Sequence, residues 1–170
     1  CNRRNSGRRE RLKEELEQLS SLHARRIEAY RELLLRVSSF STIAIKGNIY
    51  SVNSRLIKEK VNVRLYAQYV EVWYAQRCVE TLPRCSGRSK YLINYRHVID
   101  WLVRKPGAFE NYRYHDAMFP STMLRMTYDC LKTHLPQRAV KEYLEILSLA
   151  AKHSEHAVDD ALKTIFAQDL

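Results

Sequence analysis

Between residues 31 and 82 the chain repeats one pattern, an apolar residue at every second position in short runs separated by tight breaks. Leu33, Leu35 and Val37 alternate with Leu34, Arg36 and Ser38. Thr42 to Ile45 and Ile49 to Val52 flank Lys46-Gly47-Asn48, whose Gly and Asn tolerate the φ > 0 that a tight hairpin requires. Val61, Val63 and Leu65 alternate with Asn62, Arg64 and Tyr66, and across Ala67-Gln68 the pattern resumes in Val70, Val72 and Tyr74. After Ala75-Gln76, Arg77 to Leu82 reads as a last strand, closed by Pro83. A period of two gives each strand one apolar face. Five or six strands this short must curl to hide that face, and a small SH3-like barrel does so while removing most exposed edges.

The flanks read as helix. In Arg8 to Leu22, Leu12, Leu16 and Leu19 form one narrow stripe, too little to hold a free helix, so this helix should dock on something. Asn94 is placed to cap a helix carrying Val98, Ile99, Leu102 and Val103, which Pro106-Gly107 ends. Tyr112, Tyr114 and Phe119 fall in an irregular aromatic stretch. Ser121 should cap a helix through Met123, Leu124, Tyr128 and Leu131, and Pro136 should open the next, which uses Val140, Tyr143, Leu144, Leu147 and Ala151. Ser154 caps the last, with Asp159 and Asp160 outside and Ala157, Val158, Ala161, Leu162 and Ile165 inside. These last three helices should pack as an antiparallel cluster. The expected fold is α+β: an N-terminal helix or linker over 1–30, a small basic barrel over 31–93, and a helical C-terminal domain over 94–170.

Charge separates the two ends. Of the net +10, residues 1–113 carry 23 Lys+Arg against 11 Asp+Glu, whereas 114–170 carry 6 against 8. A positive field over the strand region attracts polyanions, of which nucleic acid is the commonest large one in a cell. The cations fall at Lys46, Arg55, Lys58, Lys60, Arg64, Arg77, Arg84, Arg88, Lys90 and Arg96, with Arg104 and Lys105 beyond. The segment Arg84-Cys85-Ser86-Gly87-Arg88-Ser89-Lys90 combines three cations with small residues and no acid, a composition able to follow a phosphate backbone. Tyr66, Tyr69, Trp73 and Tyr74 read first as strand residues covering the barrel and only second as base-stacking groups. No base-reading helix is evident, so contact should be mainly to backbone.

Other chemistries find little support. With four Gly there is no phosphate-cradling Gly-x-x-x-x-Gly-Lys, no nucleophile elbow and no His-Glu-x-x-His. His153 and His156 could share a helix face but have no third ligand nearby and read as solvent-exposed. Glu14, Glu15 and Glu17, like Asp159 and Asp160, read as helix-surface clusters. Cys1, Cys78, Cys85 and Cys130 form no metal spacing and read as reduced, buried or half-buried thiols of a cytoplasmic protein. The Arg-rich start has no apolar stretch after it, no run approaches a membrane span, and a start at Cys1 instead of Met suggests a piece of a longer protein.

Several runs carry a resemblance. Ser41-Thr42-Ile43-Ala44-Ile45-Lys46-Gly47-Asn48-Ile49-Tyr50-Ser51-Val52 through Ile57, Val61 to Ala67 and Val70-Glu71-Val72 resemble the barrel of IstA-type transposases of bacterial insertion sequences. Tyr95 to Phe109 continues the likeness, and Lys141 to Ala151 resembles the helical tail of such proteins. The resemblance implies a DDE-type enzyme, related to phage Mu transposase, whose Asp, Asp and Glu hold two divalent metals in an RNase H-like domain followed by a barrel and a tail. No part of this chain matches the catalytic segment, which should lie before Cys1. The expectation is therefore no catalytic residue, no cofactor and no metal here.

Two readings follow. In one, the chain binds double-stranded DNA through Lys46, Arg55, Lys58, Lys60, Arg64, Arg84, Arg88, Lys90, Arg96, Arg104 and Lys105 and helps to assemble the transposase on it. In the other, the near-neutral tail docks another transposase subunit or an AAA+ ATPase helper. Both place the protein in the bacterial cytoplasm, at the nucleoid. A third reading, an independent small enzyme, needs a site the sequence does not offer.

Overall fold

A computed structural model describes residues 8–18 and 29–168, except for the side chains of residues 8 and 9. The first helix, α1 (Arg8–Gln18), exposes its stripe, with Leu12 and Leu16 each 56% accessible. Leu19 and the rest of the expected helix to Leu22 lie outside the described residues.

Among the described residues seven strands follow: β1 (Arg31–Arg36), β2 (Thr42–Ile45), β3 (Asn48–Ser51), β4 (Lys60–Leu65), β5 (Tyr69–Tyr74), β6 (Arg77–Pro83) and β7 (Tyr91–Leu92). They form two sheets, antiparallel β1-β4-β5-β6 and β2-β3-β7, the last pair parallel. The hydrogen-bonded ladder does not run all the way round, so the barrel expectation resolves into two sheets enclosing one core. Alternation decides what faces that core: Val61, Val63, Val70 and Val72 are fully buried, while Asn62 opposite Trp73 faces out. Ile43, Ile45, Tyr50, Val52 and Leu82 complete it.

One turn departs from expectation and another falls where the break at Ala75-Gln76 places it. The β2–β3 turn is made by Lys46 (φ 48°) and Gly47 (φ 82°), and Asn48 is already the first strand residue. Ala75 (φ 47°) and Gln76 (φ 63°) make the β5–β6 turn without glycine. Positive φ at both central positions matches the right-handed twist of the flanking strands. The seventh strand was not expected because its two residues sit at the end of a polar, Gly-containing loop with no alternation to reveal them.

The helical half holds α2 (Ile99–Arg104), α3 (Thr122–His134), α4 (Ala139–Lys152) and α5 (Glu155–Gln168) around a second core. Asn94 caps a short 310 helix, Tyr95–His97, that leads into α2. Ser121 caps α3 as expected, accepting from the Leu124 amide at 3.1 Å. Pro136 instead lies in the turn before α4. The irregular stretch between α2 and α3 turns out to be core: Phe109 and Met118 are fully buried, and Phe109, Phe119, Tyr128 and Tyr143 pack edge-on or tilted within about 6 Å of one another. On α5 only Leu162 is fully buried. Ala157, Ala161 and Ile165 are exposed, and Asp159, expected outside, is half-buried and accepts from Ser121 Oγ at 2.7 Å. Among the described cysteines Cys78 is exposed, against expectation, while Cys85 and Cys130 are half-buried. No described helix is long and apolar enough to cross a membrane.

Candidate nucleic-acid interface

Asn48 organises the basic loop. It is 3% exposed at the start of β3, and its Nδ2 donates to the carbonyls of Cys85 (3.3 Å) and Gly87 (2.9 Å). Its Oδ1 accepts from the Lys90 amide at 3.1 Å. Around it the Ser89 amide donates to the Gly47 carbonyl, the Ile49 amide to the Lys90 carbonyl, and the Cys85 amide to the Tyr50 hydroxyl. Tyr50 is pushed above its ordinary pKa, first by burial, and stays a neutral phenol. The loop from Arg84 to Lys90 is thereby fastened along its length to the β2–β3 hairpin.

Between loop and hairpin runs a groove of ≈ 740 Å³. Lys46, Gly47, Asn48, Arg84, Ser86, Gly87 and Arg88 line it, together with Ile45, Tyr50, Leu65, Ala67 and Cys85. Among the described residues its lining includes three cations and no carboxylate. The Arg88 stem passes 3.8 Å from where a Gly47 side chain would begin, and Arg84 Nη1 donates to the Tyr66 carbonyl at 2.8 Å. Gly87 takes φ 86° and Ser89 φ 60°. Among the described residues the amides of Ser86, Gly87 and Arg88 meet no protein acceptor. Successive free amides beside guanidinium groups attract an anion through both dipole and charge.

The expected DNA contacts sort into four groups. Lys46, Arg84, Arg88 and Lys90 come together at the groove and its rim. Arg55, Lys58 and Lys60 are exposed beyond the other end of β3, where Arg36 Nε donates to the Lys58 carbonyl at 3.0 Å. Arg64 is half-buried, its guanidinium 4.1 Å from the Trp73 ring centre and 5.0 Å from that of Tyr30, and Arg96 pairs with Glu155 at 2.8 Å across to α5. These two cations already have partners. Arg104 and Lys105 are exposed at the end of α2.

Sequence reasoning missed a Ser–His–Glu chain. Ser51 Oγ lies 2.8 Å from His97 Nδ1, and His97 Nε2 lies 3.2 Å from Glu80 Oε2. The bonds are satisfied with a proton on Nε2 toward Glu80 and the Ser51 proton toward Nδ1, while Ser51 Oγ accepts from the Asn94 amide at 2.8 Å. Ser51 is only 1% exposed, so no substrate reaches its oxygen; the chain ties both sheets to the helical half. A second tie runs from the Tyr112 hydroxyl to the Phe40 carbonyl at 3.0 Å. No cluster of three His, Cys, Asp or Glu among the described residues is arranged to hold a metal ion.

Comparison with known proteins adds the lineage. Residues 22–94 match the family model described as Mu transposase, C-terminal domain, which takes in all seven strands. The chain is 36% identical over 153 residues to the uncharacterized protein y4jA/y4nE/y4sE of Sinorhizobium fredii, covering 87% of this chain and 30% of that protein. It is 27% identical over 143 residues to the transposase for insertion sequences IS1326/IS1353 of Pseudomonas aeruginosa, covering 80% of this chain and 27% of that one. Over 146 residues it is 27% identical to a transposase of Aminobacter aminovorans, covering 82% of this chain and 28% of that protein. The chain thus spans less than a third of the length of these relatives. No solved structure matches it. Residues 22–94 thus match the Mu transposase C-terminal domain, and over most of its length the chain is similar to part of insertion-sequence transposases.

Proposed function

We propose that this chain is a non-catalytic, DNA-handling part of a DDE-type transposase of the IstA kind, and that its strand-built half grips the sugar–phosphate backbone during assembly of the transposase on DNA. One observation carries the reading: the groove lined by Lys46, Arg84 and Arg88, with no carboxylate in it among the described residues and Lys90 beside it. Arg55, Lys58 and Lys60 offer a second basic patch, and Arg104 and Lys105 a third. The chemistry of strand cleavage and joining, with its divalent metals, belongs to a domain outside this chain. The setting is the bacterial cytoplasm, on chromosomal or element DNA.

Electrophoretic mobility shift of a short duplex tests the reading. Arg88→Glu with Lys90→Glu should weaken binding at least about ten-fold, since each reversal removes one phosphate contact and adds a repulsion. Undiminished affinity would sink the assignment. Mg²⁺- or Mn²⁺-dependent strand transfer by the chain alone would refute its non-catalytic role.

A second reading draws on exposed apolar residues of the helical half: Met126 on α3, Leu149 on α4 and Ile165 on α5 are about half accessible. In it this half docks another transposase subunit or the AAA+ helper. Leu149→Glu with Ile165→Glu should then abolish co-purification of the partner without affecting DNA affinity.

A further inference from the structure

Immediately after Lys90 the chain presents an aromatic cleft that the backbone grip does not use. Tyr91 is 61% exposed, the second most exposed of the large apolar and aromatic side chains described. Its ring centre lies 5.6 Å from that of Tyr114, the two planes opening at 52°. Tyr114 is held from behind by Tyr112 (5.8 Å, 72°), itself buried and anchored through its hydroxyl to the Phe40 carbonyl. The Arg113 guanidinium sits 5.8 Å from the Tyr114 ring centre. Tyr91, Arg113 and Tyr114, together with Ile93, Asp116 and Ala117, bound a cleft of ≈ 360 Å³. That is at the small end of ligand-sized clefts and too narrow for a duplex.

We propose that this cleft receives a single unpaired or extruded nucleobase of the DNA whose backbone lies along the Arg84–Lys90 loop, with the base stacked on Tyr91. The inference rests on the backbone reading of that loop. Three features point to a base and not to an apolar peptide. The exposed ring follows directly on a phosphate-binding cation, so base and backbone sites are one residue apart, about 3.8 Å between Cα atoms. The wall supplies both a guanidinium and a carboxylate, able to serve the donor and acceptor edges of a base. The platform is fixed in advance by the Tyr112 anchor, so stacking orders only the exposed ring of Tyr91.

The test uses two DNAs with the full chain: a fully paired duplex, and the same duplex with 2-aminopurine opposite an abasic site. Wild-type protein should quench 2-aminopurine fluorescence on binding and hold the damaged duplex about ten-fold more tightly than the paired one, within the range of an aromatic–base stack. Tyr91→Leu should abolish the quenching and the preference while binding the paired duplex within two-fold of wild type, and Tyr91→Phe should restore both. Duplex binding without quenching, or quenching that survives Tyr91→Leu, overturns the base site alone. Failure to bind either DNA overturns the backbone reading as well.

Discussion

At the scale of single residues, Asn48 carries more of the site than any cation does. It has no charge, yet it makes three of the hydrogen bonds that shape the basic loop. Asn48→Ala would leave two carbonyls and one amide unserved in a part-buried setting, so we expect a loss of about 1–3 kcal/mol in urea unfolding. Backbone binding should fall with it although net charge is unchanged; intact stability and affinity would show the loop holds itself. The sequence made the cations legible, because a run without acids stands out in any composition. Asn48 was not legible: beside Gly47 it reads as a turn residue, and its partners lie 37 to 42 positions away. His97 was hidden for the same reason, since its role depends on Ser51 and Glu80 in two separate strands far from it in sequence. A second histidine, His115, lies between Phe109, Phe119 and Tyr128, its buried Nε2 without a partner among the described residues. Burial, ahead of the neighbouring charges, lowers its pKa from the ordinary 6.5. The folded protein therefore keeps this ring neutral, and the unfolded chain binds the proton more readily. Its stability contribution is full above about pH 6.5 and falls as pH drops toward the lower folded value. NMR titration should place the His115 midpoint below 6.5, and His115→Phe should flatten the acid limb of the stability curve. A midpoint at or above the ordinary value would contradict this.

Elements were legible where one face is buried and the other wet. Val61 to Leu65 and Val70 to Tyr74 could be read residue by residue because the inward valines recur without a break until the irregularity at Val72/Trp73. Helices α3 and α4 were equally plain. Helix α5 was not, because it is the outermost of the cluster and buries a narrower stripe, so Ala157, Ala161 and Ile165 look inward in sequence while lying outward in space. The short strand β7 has too few residues for a period to appear. The contact between Ser121 and Asp159 makes one side chain serve two helices, capping α3 and reaching α5. Ser121→Ala should cost about 1–2 kcal/mol, the upper part of the range for a lost cap, because a carboxylate loses its donor too. Thermal unfolding checks it: a shift in Tm of less than a degree would mean the cap is idle.

For the whole molecule, two cores meet at a polar seam, with the Ser51–His97–Glu80 chain and the Tyr112–Phe40 bond crossing it. Tyr143, Leu144 and Leu147 are fully buried in the helical core, so removing residues 136–170 would unfold that half instead of simply uncovering a surface. Point substitutions at exposed Leu149 and Ile165 are the cleaner probe of docking. The division of charge seen along the sequence becomes a division in space: the groove and its rim belong to the strand-built half. In the proposed function this half binds phosphates through Lys46, Arg84, Arg88 and Lys90. Fluorescence anisotropy of a short duplex across a salt series tests it most directly, because each phosphate contact contributes about −0.9 to the slope of log K against log salt. Four phosphate contacts give an expected slope of about −3 to −4 for the native chain, reduced in magnitude by about two when Arg88 and Lys90 are both changed to Glu. A slope near zero, or one that the double substitution leaves unchanged, would contradict it.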